Sequence, residues 1–251
     1  MNTEEELLFK RFTELARKSD NGYFLFSDFL GLSEQAIFNE AKKSFGRAKY
    51  TLFGGADGCE RVIARFGDPD ANGYEESFPI KTLLIEPKAP KFADKLTHRD
   101  FLGAILNLGI ERKTVGDIII RDNVGYVFVK EDISEYVVSS LETVRRTDVK
   151  VKITDSVPVS ELFTLERKRV QLSGERLDAV ISKLYSISRL DSQALFKKRL
   201  VFVSGRLCES ASYTPKTGDV ISVRGYGRFI YSGITGISKK GKLNVDIDVY
   251  V

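Results

Sequence analysis

Apolar positions recur with helical spacing over residues 3–19, where Leu7, Leu8, Phe12 and Leu15 form one stripe. Thr3 can cap this helix, and Glu4, Glu5 and Glu6 suit the positive end of its dipole. Asn21-Gly22 ends it. A Phe-rich run at 24–30 follows. Ile37, Ala41 and Phe45 then mark a second helix that starts at Ser33-Glu34. Strand-like runs at 50–53 and 61–66 flank Gly54-Gly55-Ala56-Asp57-Gly58. That stretch lacks both the Gly-Lys-Ser/Thr ending of a phosphate loop and a following helix, so it reads as a hairpin turn. Residues 67–77 are polar and turn-rich, and form a candidate boundary.

Between 78 and 155 the two periods alternate. Strand patterns at 80–85, 117–120, 126–129 and 149–153 are separated by helical patterns at 97–108 and 134–144, the first opened by a Thr97–Asp100 capping box. The order is βαββαβ, the ferredoxin-like split pattern shared by RNA-recognition domains. The third strand, Gly125-Tyr126-Val127-Phe128-Val129, partly resembles the aromatic strand of those domains. Val124 replaces its leading basic residue, and the first strand offers no stacking aromatic. Tyr126 and Phe128 are therefore read first as packing residues, with base stacking as the alternative.

The last third changes character. Leu177, Val180, Ile181 and Leu184 fall at i, i+3, i+4 and i+7 of a short helix. Ser188 and Asp191 form the capping box of a second helix, which ends in Lys197-Lys198-Arg199. Strand runs at 200–203 and 220–223 are set off by Ser204-Gly205 and Gly218-Asp219. A final hairpin spans 229–234 and 243–251, with Val245, Ile247, Val249 and Val251 inward and Asp246, Asp248 and Tyr250 outward. The chain thus reads as α+β in three parts: an N-terminal helical segment with a small hairpin at 1–75, packed on or standing beside its neighbour; a ferredoxin-like domain at 76–165; and two helices on a small sheet at 170–251. In the connector 156–174, residues 157–165 are largely uncharged. Glu166-Arg167-Lys168-Arg169 then suits either phosphate contact or a solvated strand edge.

Charge sharpens this division. Of 251 residues, 166–251 carry 16 Lys+Arg and 8 Asp+Glu, a net +8, whereas 1–165 carry 23 and 27, a net −4. A basic third on a mildly acidic body suggests a polyanion partner on one side. No apolar run is long enough to cross a bilayer, and the two distant cysteines, Cys59 and Cys208, fit a reducing compartment. A cytoplasmic protein without membrane partners is expected.

Two sets of residues carry a family resemblance. Arg176-Leu177-Asp178, Ser188-Arg189 with Ala194, Val201-x-Val203-Ser204-Gly205 and Gly218-Asp219-x-Ile221-x-Val223 resemble the S-four (alpha-L) RNA-binding domain. Arg199 stands where that family usually has Gly, and Ser204 where Asn is common. Over its full length, through KFADKLTHRDFLGAILNLGIERKTVGDIII and the ending VRGYGRF, the chain looks like the YlmH family of bacterial proteins. The resemblance implies binding to rRNA and tRNA on large ribosomal subunits blocked by peptidyl-tRNA, in rescue and quality control of stalled translation. It also brings a cell-division label, with protein partners in division. From the S-four resemblance, the RNA-facing role is carried to Arg176, Arg189, Gln193, Lys197, Lys198, Arg199 and Arg206, with Arg224 and Arg228 as further candidates. Arginine suits bidentate phosphate contact and lysine adds point charge. A basic helix end also suits the dipole by itself.

The enzyme readings are weaker. His98 is the only histidine, and Thr97-His98-Arg99-Asp100 lacks the other elements of a kinase. Three scattered Cys and His residues make no zinc site. No nucleophile elbow occurs. Arg176-Leu177-Asp178 matches the catalytic triplet of pseudouridine synthases, some of which carry an S-four domain. Here the triplet opens that domain, no catalytic domain follows, and Asp178 reads as a helix-start charge. The expectation is a non-catalytic RNA-binding protein with no cofactor, metal or small-molecule substrate. An RNA-modifying enzyme of synthase type and a protein adaptor linked to cell division are the alternatives.

Overall fold

The computed structural model describes residues 3–155 and 164–250. The chain divides into two compact units, 1–162 and 163–251. Helix and sheet are mixed in both, as the α+β reading expects.

The first unit opens with α1 (Thr3–Ser19), β1 (Leu25–Phe26), α2 (Leu32–Ala41), β2 (Tyr50–Phe53), β3 (Ile63–Phe66) and the one-turn α3 (Pro69–Asn72). The strands stand in the order β1-β3-β2. The apolar stripes of both helices meet this sheet in a core built from Phe12, Ala16, Phe38, Ala41, Phe45 and Phe66. Phe38 is its hub, with the rings of Phe12, Phe45, Tyr50 and Phe66 5.1–5.9 Å away, most of them edge-on.

The same unit continues with β4 (Ile80–Pro87), α4 (His98–Leu106), β5 (Val115–Arg121), β6 (Val124–Lys130), α5 (Glu131–Ser140), β7 (Thr143–Val144) and β8 (Thr147–Thr154). The sheet order is β5-β6-β4-β8-β7, and every neighbouring pair is antiparallel. Phe101 and Ile105 of α4 and Val137 of α5 pack with Leu83, Ile85, Val127, Val129, Val149 and Val151, so both helices cover one face. The Thr97–Asp100 capping box forms as the spacing requires. The helix expected to reach Val144 stops at Ser140. Leu141 and Val144 are both buried, and their three-residue spacing imitates a helix. Arg145, at φ 56°, instead turns the chain into a short hairpin.

The opposite face of this sheet is where the N-terminal segment docks, so 1–75 and the middle sheet form one unit rather than two. A Cβ placed on Gly116 would lie 2.7 Å from Phe29 Cε1, and one on Gly55 would lie 2.3 Å from Phe128 Cδ1. Around this close approach, the Asp117 carboxylate accepts from the amides of Glu60 (2.5 Å) and Arg61 (3.1 Å). Arg61 Nε donates to the Val115 carbonyl at 2.9 Å, and its Nη2 to Phe29 and Arg112 at 3.1 and 3.3 Å. Lys130 Nζ meets Asp28 at 3.0 Å. Arg112 is pulled down to about 10, by burial first and then by the charge of Arg61, while Asp117 and Glu34 act the other way.

In the second unit come β9 (Leu165–Leu172), α6 (Leu177–Leu184), α7 (Arg189–Lys197), β10 (Val201–Val203), β11 (Arg206–Leu207), β12 (Val220–Val223), β13 (Gly227–Ile237) and β14 (Leu243–Tyr250). They form an antiparallel sheet in the order β11-β10-β12-β13-β14-β9. Leu177, Val180 and Ile181 of α6 and Leu195 and Phe196 of α7 close its core against Ile221, Val223, Phe229, Tyr231, Val245 and Ile247. Strand β9 takes up the strand-edge alternative for 166–169, and it places the start of this unit before residue 170. Its alternation is written in charges rather than in apolar residues. Arg167 grips Asp248 with two hydrogen bonds of 2.8 and 2.9 Å, and Arg169 grips Asp246 at 2.6 and 3.0 Å. Two arginines of the basic connector are thus paired within the sheet, as the strand-edge reading expects, while their side chains stay exposed. Residues 157–163 and Val251 lie outside the described residues.

The Gly116–Phe29 approach is testable. Gly116→Val forces methyl groups into a filled seam, and overpacking of this kind costs about 1–3 kcal/mol. The first transition in urea is expected to move to lower concentration, with the second unit unaffected. A variant as stable as the parent would mean that the seam is looser than described.

Candidate nucleic-acid interface

The sequence of α6 forces its first turn inward. Leu177, Val180 and Ile181 must face the sheet, and Asp178 beside them is carried into complete burial. A buried carboxylate needs charged or polar partners. Asp178 finds them on both helices. Arg176 donates through Nε (3.2 Å) and Nη2 (3.0 Å), Arg189 through Nη2 (2.9 Å) and Gln193 through Nε2 (2.9 Å). Ser192 Oγ donates to the Asp178 carbonyl at 2.8 Å, and the Asp178 amide donates to Ala211. Burial pushes this carboxyl up, but the hydrogen bonds from Arg176, Arg189 and Gln193 together outweigh it and hold it at about 2. The side chains of Arg176 and Arg189 remain 48 and 49 % exposed. Each guanidinium therefore has one edge fixed on Asp178 and the rest presented to solvent.

Helix α7 begins at Ser188, whose Oγ accepts from the Asp191 amide at 3.0 Å. It ends in a Schellman motif: the Leu200 amide donates to Leu195 and the Arg199 amide to Phe196. Arg199 occupies the left-handed position of that motif at φ 57°. Lys197, Lys198 and Arg199 are exposed there, and Arg199 lies 3.7 Å from the equally exposed Glu209. Exposed pairs at such distance are weak, so this one leaves the cluster basic. Ser204 and Gly205, both at positive φ, make the tight turn into β11. Arg206 pairs in register with Val203, which belongs to the helix-packed face, and is itself exposed.

The remaining candidates separate. Arg224 lies over the Phe202 ring at 5.1 Å, and Arg228 over the Tyr250 ring at 3.8 Å. Phe202 alternates with Val201 and Val203 of the helix-packed core, and Tyr250 alternates with Val249, so both arginines are directed to the other face of the sheet. In the first unit, Phe128 is fully buried beneath the N-terminal segment, at Gly55 and Gly116. Its faces are taken up by packing, which removes it as a stacking candidate. Tyr126, two residues away, is half-buried.

The residue that sequence reasoning underrated is Asp178. Read as a helix-start charge, it is the anchor of three predicted RNA-facing side chains. The available signal was its place inside an apolar helix face, opposite Arg189 and Gln193 spaced four apart. Among the described residues, no group of three or more His, Cys, Asp or Glu side chains could hold a metal ion, and no helix is long and apolar enough to cross a membrane.

These features define an α+β protein of two units whose C-terminal unit presents fixed cations at one end of a helix pair. Residues 74–157 match the model of a family described as "Putative RNA-binding domain in YlmH". The chain is 30 % identical over 231 residues to the ribosome-associated protein quality control protein P2 of Bacillus subtilis (strain 168), covering 88 % of this chain and 86 % of that protein. A solved structure, the cell division protein ylmH from Streptococcus pneumoniae, is similar over 61 % of this chain and 93 % of its own, at 21 % identity and a TM-score of 0.48. The chain belongs to the YlmH family.

Removing the anchor has a definite consequence. Asp178→Ala leaves two guanidiniums without their buried partner, and loss of such a carboxylate costs about 2–3 kcal/mol. Its folded-state value of about 2 lies below the unfolded value near ~3.9, so its contribution is complete above about pH 4 and fades as the pH falls toward 2. The stability gap between parent and Asp178→Ala, followed by urea melts from pH 7 to 2, is expected to narrow in that window. A gap independent of pH would contradict the ionised anchor.

Proposed function

We propose that this protein binds structured RNA on the ribosome, through the α6–α7 face of a C-terminal S-four-type unit joined to a ferredoxin-like, RNA-recognition-type domain. The observation that carries the reading is the cation cluster pinned on Asp178, continuous along α7 with Lys197, Lys198 and Arg199. Folded RNA is recognised by shape and phosphate position, and cations whose geometry is set before binding lose less freedom on association. The name of the Bacillus subtilis relative and the description of the family model support the ribosomal and RNA aspects. The targets that best fit the reading are rRNA and tRNA on large subunits obstructed by peptidyl-tRNA, in rescue or quality control of stalled translation. Action there is by occupying a site, without bond chemistry. Asp178 supports this over the synthase reading, because both its oxygens are engaged and its carboxylate is buried.

The cations to remove are Lys197, Lys198 and Arg199. Arg189 is a poorer choice, because its loss also weakens the hold on Asp178. The triple Ala variant is expected to bind structured RNA at least tenfold more weakly at moderate salt. The slope of log affinity against log salt should flatten by about 1 for each phosphate left without its cation. Its thermal melt is expected to match the parent, since exposed substitutions cost little. An unchanged slope in a folded variant takes these residues off the RNA face.

In sucrose gradients of stalled extracts, the parent protein is expected with large subunits at low salt and the triple variant at the top. A parent that stays at the top, with the stall verified, overturns the ribosomal reading and favours a protein adaptor with cell-division partners.

A further inference from the structure

The turn between β12 and β13 holds a feature that the basic face leaves unexplained. Tyr226 sits at its tip with 43 % of its surface exposed, the one aromatic ring among the exposed large apolar side chains of the second unit's described residues. It is not a loose side chain. The Tyr226 amide donates to the Val223 carbonyl at 3.0 Å and closes the turn. Gly225 and Gly227 flank it at φ 87° and 136°, a pair of conformations that side-chain-bearing residues rarely adopt. Beneath it lies the ring of Tyr185, the residue that ends α6, at 5.2 Å between centroids and an interplanar angle of 47°. Tyr185 rests in turn on the core ring of Phe229, 6.3 Å away. The Tyr185 hydroxyl is buried without a hydrogen-bond partner among the described residues, and a Cβ on Gly227 would stand 3.6 Å from it. A rigid aromatic column thus rises from the core to the surface and ends in one open ring.

The turn adjoins the basic end of α7. The Arg224 amide, two residues before Tyr226, donates to the Leu200 carbonyl at 2.9 Å, and Leu200 directly follows Lys197-Lys198-Arg199. Phosphate-binding cations and an exposed, backed aromatic ring at one edge are the two components of single-strand recognition: the cations hold the backbone, and the ring takes an unstacked base. A protein partner would call for a wider apolar surface than one ring.

We propose that Tyr226, supported by Tyr185, is a stacking platform for an unpaired nucleobase at the edge of the α7 basic cluster. This rests on the RNA-binding reading above and adds to it a preference for RNA whose helix is interrupted by a loop or bulge. Base stacking involves no charge, so it contributes affinity without counterion release.

The test uses the full chain and two fluorescein-labelled RNA hairpins, one with a six-nucleotide loop and one with a minimal tetraloop closing an otherwise identical stem. The parent protein is expected to favour the wide loop. Tyr226→Ala is expected to lower affinity for it by about tenfold, with the salt slope unchanged and the tetraloop affinity nearly so. Tyr226→Phe and Tyr226→Trp keep a ring and are expected to bind like the parent. Tyr226→Leu keeps apolar cover over Tyr185 without the aromatic face. It is expected to melt like the parent yet bind like Tyr226→Ala, which separates stacking from folding. Parent-like binding by folded Tyr226→Leu and Tyr226→Ala overturns the platform while leaving RNA binding intact. A parent that binds neither hairpin overturns the RNA reading and the platform together.

Discussion

One buried carboxylate organises the two helices of the second unit. Asp178 enters the core because its neighbours Leu177, Val180 and Ile181 must, and once there it cannot stay alone. Arg176 reaches it from its own helix start, and Arg189 and Gln193 reach it from the next helix. The requirement that a buried charge be compensated thereby fixes the crossing of the two helices and the direction of their cations. Local sequence, packing and surface charge are three views of the same interaction. A site built in this way is coupled to stability: loosening the anchor disturbs both the fold and the arrangement of guanidiniums.

Much of this was legible in the chain. The apolar periods located most helices and strands to within a few residues, the capping box at Thr97 formed, Ser188 caps its helix through the Asp191 amide, and the middle region runs βαββαββ, one short strand more than read. The reading stayed open or failed where apolar spacing did not decide it. Strand β9 has a ladder of arginines facing Asp246 and Asp248, so its period is carried by opposite charges whose partner strand lies some eighty residues away. Residues 141–144 kept helical spacing of buried positions while the backbone turned at Arg145. Both are tertiary facts that a window of a dozen residues does not contain.

The side chains read as candidates fall into separate groups in the structure. Arg176, Arg189 and Gln193 meet at one point, and Lys197 to Arg199 extend the same helix, but Arg224 and Arg228 lie on aromatic rings of the opposite sheet face. Strand alternation alone could not assign them, because they sit at the ends of a turn flanked by two glycines. Phe128 was ambiguous for another reason. Its strand face is the one an RNA-recognition sheet leaves open, and only the docking of a distant segment, with Phe29 over Gly116 and Gly55 on the ring, closes it.

The Schellman position at Arg199 has a wider meaning. A side chain at φ 57° there costs backbone energy of about 1 kcal/mol, which glycine would avoid. Replacing Arg199 with glycine would relax the helix end and, in the same stroke, thin the positive field around it. Selection for thermal robustness and selection for a polyanion partner therefore pull this position in opposite directions. A stabilisation of this chain that placed glycine at Arg199 would trade electrostatic attraction for melting temperature there.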